Sequence, residues 1–136
     1  MKELHIVWQR LVNERGTTCP RCHGTGQEVA QTVERLRTAL EPLGVTPVLE
    51  TRELSEASFL EQPSESNRIW IDGRPLEYWV EGQAGSSRCC AECGDNDCRT
   101  LELGGARYEV IPEQLLMRAG LIAATRMLDT SVAALT

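Results

Sequence analysis

Two cysteine pairs with the same spacing constrain this chain more than any other feature. One is Cys19-Pro20-Arg21-Cys22; the other is Cys90-Ala91-Glu92-Cys93, inside a run that starts at Cys89 and ends at Cys98. C-x-x-C spacing brings two sulfurs within reach of one metal ion or of each other. Whatever the fold, it has to place two centres of thiol chemistry, and the order of elements between them decides whether they meet. With 136 residues, the chain can bury a core without disulfide staples, so a secreted scaffold is not expected. No long apolar leader and no stretch of membrane length is visible, which points to a cytoplasmic, reducing location. There, clustered cysteines serve as metal ligands or catalytic thiols.

The formal charge of -6 and pI of about 5.0 argue against nucleic acid, which is bound through Lys and Arg. Three Trp, two Tyr and one Phe leave little for a base-stacking platform. The expected partners are a metal ion and a redox partner protein, with neither nucleic acid nor membrane.

Residues 3–12 read as a central strand covered on both sides, with Leu4, Ile6 and Trp8 on one face and Val7 and Leu11 making the other partly apolar. Residues 13–24 read as a loop carrying the first cysteine pair. Thr25-Gly26-Gln27-Glu28 matches a capping box, which places the helix start after Cys22. Val29, Val33, Leu36, Leu40 and Leu43 form its apolar stripe, Pro42 weakens its last turn and Gly44 closes it. Residues 45–52 predict a second strand, kept at a sheet edge by Pro47. Ser55 caps a short helix through Leu60, stopped by Pro63.

Ile69-Trp70-Ile71 is a compact strand ending at the tight turn Asp72-Gly73. The stretch from Pro75 to Val80 suits either a return strand or a short helix. Gly82 to Ser87 is a Gly/Ser-rich approach to the second cluster. Leu101 to Val110 then reads as a hairpin about Gly104-Gly105, and Pro112 opens a helix with Leu115, Leu116, Ala119, Ile122, Ala123 and Met127 on its stripe. The expected organisation is a single domain over 1–128 with a Cys-rich insert at 82–98 before the last strands, and a frayed C-terminal tail over 129–136. This order suits an α/β thioredoxin-like sandwich, a central mixed sheet with flanking helices.

Four stretches carry a family resemblance: Leu4-His5-Ile6-Val7-Trp8-Gln9-Arg10-Leu11, the Cys19-x-x-Cys22 loop, Ser66 to Glu77 around Ile69-Trp70-Ile71-Asp72-Gly73-Arg74-Pro75, and Cys89-Cys90-x-x-Cys93-Gly94-Asp95. Together they resemble an uncharacterised family of small prokaryotic proteins in the thioredoxin-like superfamily, catalogued as a domain of unknown function. The resemblance implies a thioredoxin-like fold and brings no substrate.

Two chemistries compete, and metal binding is the expected one. As a redox pair, Cys19 would attack and Cys22 resolve, helped by Arg21 and by a helix N-terminus. Gly24, Gly26 and the late capping box oppose this. So does Asn67 or Arg68, where thioredoxin-family proteins carry a cis-proline. As a metal site, Cys19-Pro20-Arg21-Cys22-His23-Gly24-Thr25-Gly26 is similar to one C-x-x-C-x-G-x-G zinc knuckle of DnaJ-type chaperones. Structural zinc wants four ligands, so Cys19, Cys22, Cys90 and Cys93 are the favoured set, with Cys89 and Cys98 as alternatives. Zinc is the expected ion, with copper(I) or an iron–sulfur cluster as other soft choices. Arg88 and Arg99 flank the second cluster and favour thiolates. The adjacent Cys89 and Cys90 also suit capture of a soft metal or metalloid. A c-type haem reading of Cys19-x-x-Cys22-His23 requires export, and His23 reads instead as a solvent-facing loop residue, with His5 bonding locally in its strand. A five-residue strand spans roughly 17 Å, which the chain from Pro75 to Cys89 can retrace, so the two clusters can share one site.

Overall fold

The computed structural model describes residues 2–13, 16, 18–88 and 97–135, with side chains as far as 129. Cys89, Cys90 and Cys93 lie outside the described residues, and so does the centre of the expected insert.

Strand β1 (Lys2–Leu11) is the centre of a mixed four-stranded sheet ordered β2-β1-β3-β4. It pairs in parallel with β2 (Val45–Leu54) and antiparallel with β3 (Arg68–Ile71). The two-residue β4 (Arg74–Pro75) follows β3 through the Asp72-Gly73 turn, both residues having positive φ as such a turn requires. Strand β2 lies at the edge, where Pro47 costs the ladder nothing on its open side. Leu4, Ile6 and Trp8 are buried on one face of β1, but His5 is exposed and Val7 only half-buried on the other. On that second face only Leu11, at the end of the strand, is buried, so the expectation of a strand covered on both sides is corrected to one face covered along its length.

That face is packed by α1 (Pro20–Leu40) and α4 (Glu113–Leu135), which also pack on each other. Val29, Val33, Leu36 and Leu40 bury the stripe of α1 as spacing predicts. Leu43 leaves it, because residues 41–43 tighten into a 3₁₀ turn that Gly44 ends in a left-handed conformation. Ser55 caps α2 (Glu56–Glu61) by accepting from Ser58 N. Residues 76–80 resolve as a short helix, α3 (Leu76–Val80). The helix α4 continues to Leu135, past the residue where the sequence ends the domain.

A second sheet stands apart from the first, ordered β5-β6-β7 and antiparallel throughout. The Gly/Ser-rich approach is itself a strand, β5 (Gln83–Arg88), pairing with β6 (Asp97–Leu103), and the hairpin to β7 (Ala106–Tyr108) turns at Gly104-Gly105 as expected. Nothing in Gln83 to Arg88 is β-branched or aromatic; the pairing partner makes this strand, not propensity. Fold class is mixed α/β.

Candidate thiol site

The first cysteine pair is not in a loop. Cys19 is the N-cap of α1, Pro20 occupies its first turn, and the first helical bond runs from His23 N to Cys19 O at 2.9 Å. Proline suits this position because its missing N–H would be unsatisfied there anyway. The helix therefore starts before Cys22, not after it, and this corrects the reading of the capping box.

Thr25 and Glu28 do satisfy orphan donors, but elsewhere. The Thr25 hydroxyl, fully buried, accepts from Ile111 N at 3.1 Å, and Glu28 accepts from Glu113 N, the first residue of α4, at 3.4 Å. The two residues cap the approach to a different helix. The two glycines are likewise compatible with α1, because they let it approach its neighbours. A Cβ on Gly26 would overlap the Trp8 indole, and one on Gly24 would lie 2.9 Å from Val110 Cγ2. In this helix glycine costs conformational entropy and gains contact.

Cys19 and Cys22 are both buried, at 3% and 1% exposure. The Cys22 thiol is pushed far above its ordinary range, first by its hydrogen bond to Cys19, then by burial and by the charge of a Cys19 thiolate; bonds from the Leu11 backbone and Thr18 pull weakly the other way. Cys22 thus keeps its proton and shares it with Cys19. Thr18 also donates its hydroxyl to Leu11 O, fastening the end of β1 to the start of α1. His23 is exposed, on the helix instead of a loop.

Arg21, between the cysteines, is itself buried at 7% exposure. Its guanidinium leaves the thiols and reaches the end of the second sheet. Nη1 donates to Cys98 O at 3.1 Å and Ser87 O at 3.4 Å; Nη2 donates to Arg88 O at 3.0 Å and Ser87 Oγ at 3.1 Å. Glu109 faces the same guanidinium at 3.5 Å and accepts from Ser87 Oγ. Arg88 and Asp97 are paired in the β5–β6 ladder, so Arg21 grips the two strand ends from which residues 89–96 depart. Cys98 is buried on β6.

The thiolate-favouring roles expected of Arg88 and Arg99 fall on Cys89, Cys90 and Cys93, which lie outside the described residues. Arg99 pairs with Glu77 at 3.1 Å and donates to Ser64 O, and Arg88 faces Asp97 at 3.9 Å. Asn67, immediately before β3, is buried with φ 54; it accepts from Trp8 Nε1 at 3.4 Å and donates to Glu109 O at 3.2 Å. Among the described residues no three His, Cys, Asp or Glu side chains converge as a metal site. The described part of the favoured ligand set is Cys19 and Cys22 alone. No helix among the described residues is long and apolar enough to cross a membrane.

Comparison with known proteins gives a family and no activity. The family described as "Domain of unknown function (DUF2703)" matches residues 4–120. An "Uncharacterized protein" of Archaeoglobus fulgidus is 40% identical over 114 residues, covering 84% of this chain and 82% of its own. No solved structure matches.

Proposed function

The chain belongs to the DUF2703 family, and we propose that it performs thiol–disulfide exchange at Cys19 and Cys22, with the second cysteine cluster as the group that exchanges electrons with this pair. One observation carries the reading: Cys19 caps a helix N-terminus while Cys22, in the first turn, holds its proton against Cys19. Helix N-termini stabilise thiolates, and a nearby thiol proton does the same. The sheet order β2-β1-β3-β4, with the pair just beyond the central strand, supports a thioredoxin-like sandwich as part of the same proposal.

In the exchange, the Cys19 thiolate attacks one sulfur of a disulfide and expels the other as a thiolate. Cys22 then gives its proton to that leaving thiolate and attacks Cys19, releasing the second sulfur and closing the Cys19–Cys22 disulfide. Two electrons pass from the pair to the opened disulfide. Cys19 has only 3% of its surface exposed, which favours a partner within the chain over a bulky external one. The grip of Arg21 on Ser87, Arg88 and Cys98 supports that choice, because Cys89 and Cys90 follow Arg88 directly in sequence. A redox partner protein would then meet the second cluster.

The same grip favours a second reading, binding of zinc or another soft ion by Cys19, Cys22, Cys90 and Cys93. The two described thiols fit half of a tetrahedral thiolate set. One experiment separates the readings. Protein purified without oxygen is weighed intact with and without chelator, then equilibrated in thiol buffers and mapped for disulfides. Exchange predicts a reversible Cys19–Cys22 couple between about −120 and −270 mV, the span of C-x-x-C oxidoreductases. It also predicts a trapped disulfide from Cys19 to the second cluster in Cys22→Ser. Chelator-sensitive mass with no reversible couple in the metal-free chain would replace exchange by metal binding.

A further inference from the structure

A second site stands at the opposite end of the sheet. Lys2 opens β1, Asp72 lies in the β3–β4 turn and Arg74 follows it, and α3 and α4 contribute Tyr78, Trp79, Arg126 and Met127 to a cleft of about 370 Å³. At about 3.3 Å per residue, Lys2 lies about 30 Å along β1 from Leu11, where the cysteine helix is fastened. The cleft is therefore independent of the thiol pair.

Its charge runs against that of the chain. The molecule carries a formal charge of -6, yet among the described residues the cleft lining gathers Lys2, Arg74 and Arg126 around one carboxylate, that of Asp72. The Arg74 guanidinium stacks 4.5 Å from the Tyr78 ring centroid, and that of Arg126 lies 5.6 Å from the same ring and 5.3 Å from Trp79. Among the described residues, neither Lys2 nor Arg74 has a carboxylate within ion-pair distance. The Tyr78 face holds the Arg74 guanidinium in place without neutralising it. Arg126 Nη1 donates to Tyr78 Oη at 2.7 Å, which leaves the phenol its own proton to give. Behind them Trp79 is fixed by its indole N–H, 2.7 Å from Ile71 O. The donors are preorganised.

We propose that this cleft binds a compact phosphoryl anion through Arg74, Arg126, Lys2 and the Tyr78 hydroxyl. Two guanidinium forks, an ammonium and a hydroxyl offer more donors than the two oxygens of one carboxylate can accept, whereas a phosphoryl group presents three or more acceptor oxygens and a double charge. Asp72 opposes the ligand from the rim. It sits at φ 51, a conformation that Asn also tolerates, so Asp72→Asn removes the charge without disturbing the turn.

Calorimetric titration of the full chain with inorganic phosphate, pyrophosphate and glycerol phosphate, at constant ionic strength, tests this. Saturable one-to-one binding is expected, about tenfold weaker in Arg74→Gln and in Arg126→Gln. It is expected to be weaker in Tyr78→Phe, tighter in Asp72→Asn and unchanged in Cys19→Ser. Preference for pyrophosphate assigns the site to free polyphosphate, and preference for glycerol phosphate assigns it to an ester; either supports the proposal. Absence of saturable binding by all three, or binding that Tyr78→Phe and Asp72→Asn leave untouched, overturns it, and neither of those variants removes a buried contact.

Discussion

Arg21 Nη1 donates 3.1 Å to the carbonyl of Cys98, a contact across 77 positions of sequence that joins the first cysteine pair to the end of the second sheet. The charge lies in a buried position satisfied by three carbonyls, a hydroxyl and Glu109. Replacing it by methionine keeps an apolar stem but removes the guanidinium and leaves those acceptors without a donor. Arg21→Met is expected to lose about 2–4 kcal/mol in urea denaturation, with amide exchange accelerating first at Ser87, Arg88 and Cys98. A stability loss under 1 kcal/mol would show that water replaces the guanidinium there.

Gly26 gives a prediction whose sign opposes helix propensity. In an ordinary exposed helix, Gly→Ala stabilises by about 0.5–1 kcal/mol. Here the new methyl meets the Trp8 indole, so Gly26→Ala is expected to destabilise by about 1–3 kcal/mol. Pairing it with Trp8→Leu should recover part of that loss in a double-mutant cycle; strict additivity would mean that the two residues do not touch.

Thr25→Val removes the acceptor for Ile111 N and keeps the shape. An expected loss of about 1–2 kcal/mol should be accompanied by faster amide exchange at Ile111 and residues 113–116, at the start of α4, with residues 26–28 unchanged. Faster exchange at residues 26–28 alone would return Thr25 to the role of capping its own helix.

The proton on Cys22 gives stability a pH dependence. Its folded pKa is raised, whereas the unfolded thiol ionises near its ordinary value of about 8.5. Below that pH both states hold the proton and the contribution is fully present. Above it the unfolded chain releases a proton that the folded one retains, so stability falls as pH rises, by up to about 1.4 kcal/mol per pH unit. Reduced protein denatured at pH 7.5, 9 and 10 should show this slope, and Cys22→Ala should flatten it. An equal slope in the variant would assign it to other groups.

Much of the sheet was legible because single residues forbid alternatives. Pro47 could only stand at an edge, Asp72-Gly73 could only turn, and the stripe from Val29 to Leu40 could only face a core. The start of α1 was not legible. Pro20 and Thr25 both signal a helix N-terminus, and sequence alone does not say that Thr25 faces Ile111 instead of its own first turn. Gly24 and Gly26 look like helix breakers until Trp8 and Val110 are seen against them. Strand β5 had no pattern of its own, since its partner imposes it. Arg21 was visible as a neighbour of thiols, but the direction of a long side chain is decided by what folds up beside it.

The packing of Trp8 on Gly26 also makes this molecule its own instrument. Gly26 lies one helical turn beyond Cys22, about 6 Å along the axis, so the indole rests on the same stretch of helix that bears the thiols. Thiolates and disulfides quench tryptophan emission at short range, so the proposed exchange at Cys19 and Cys22 is expected to register as a change in Trp8 brightness. The chain carries a label for the proposed chemistry, readable without attaching a dye.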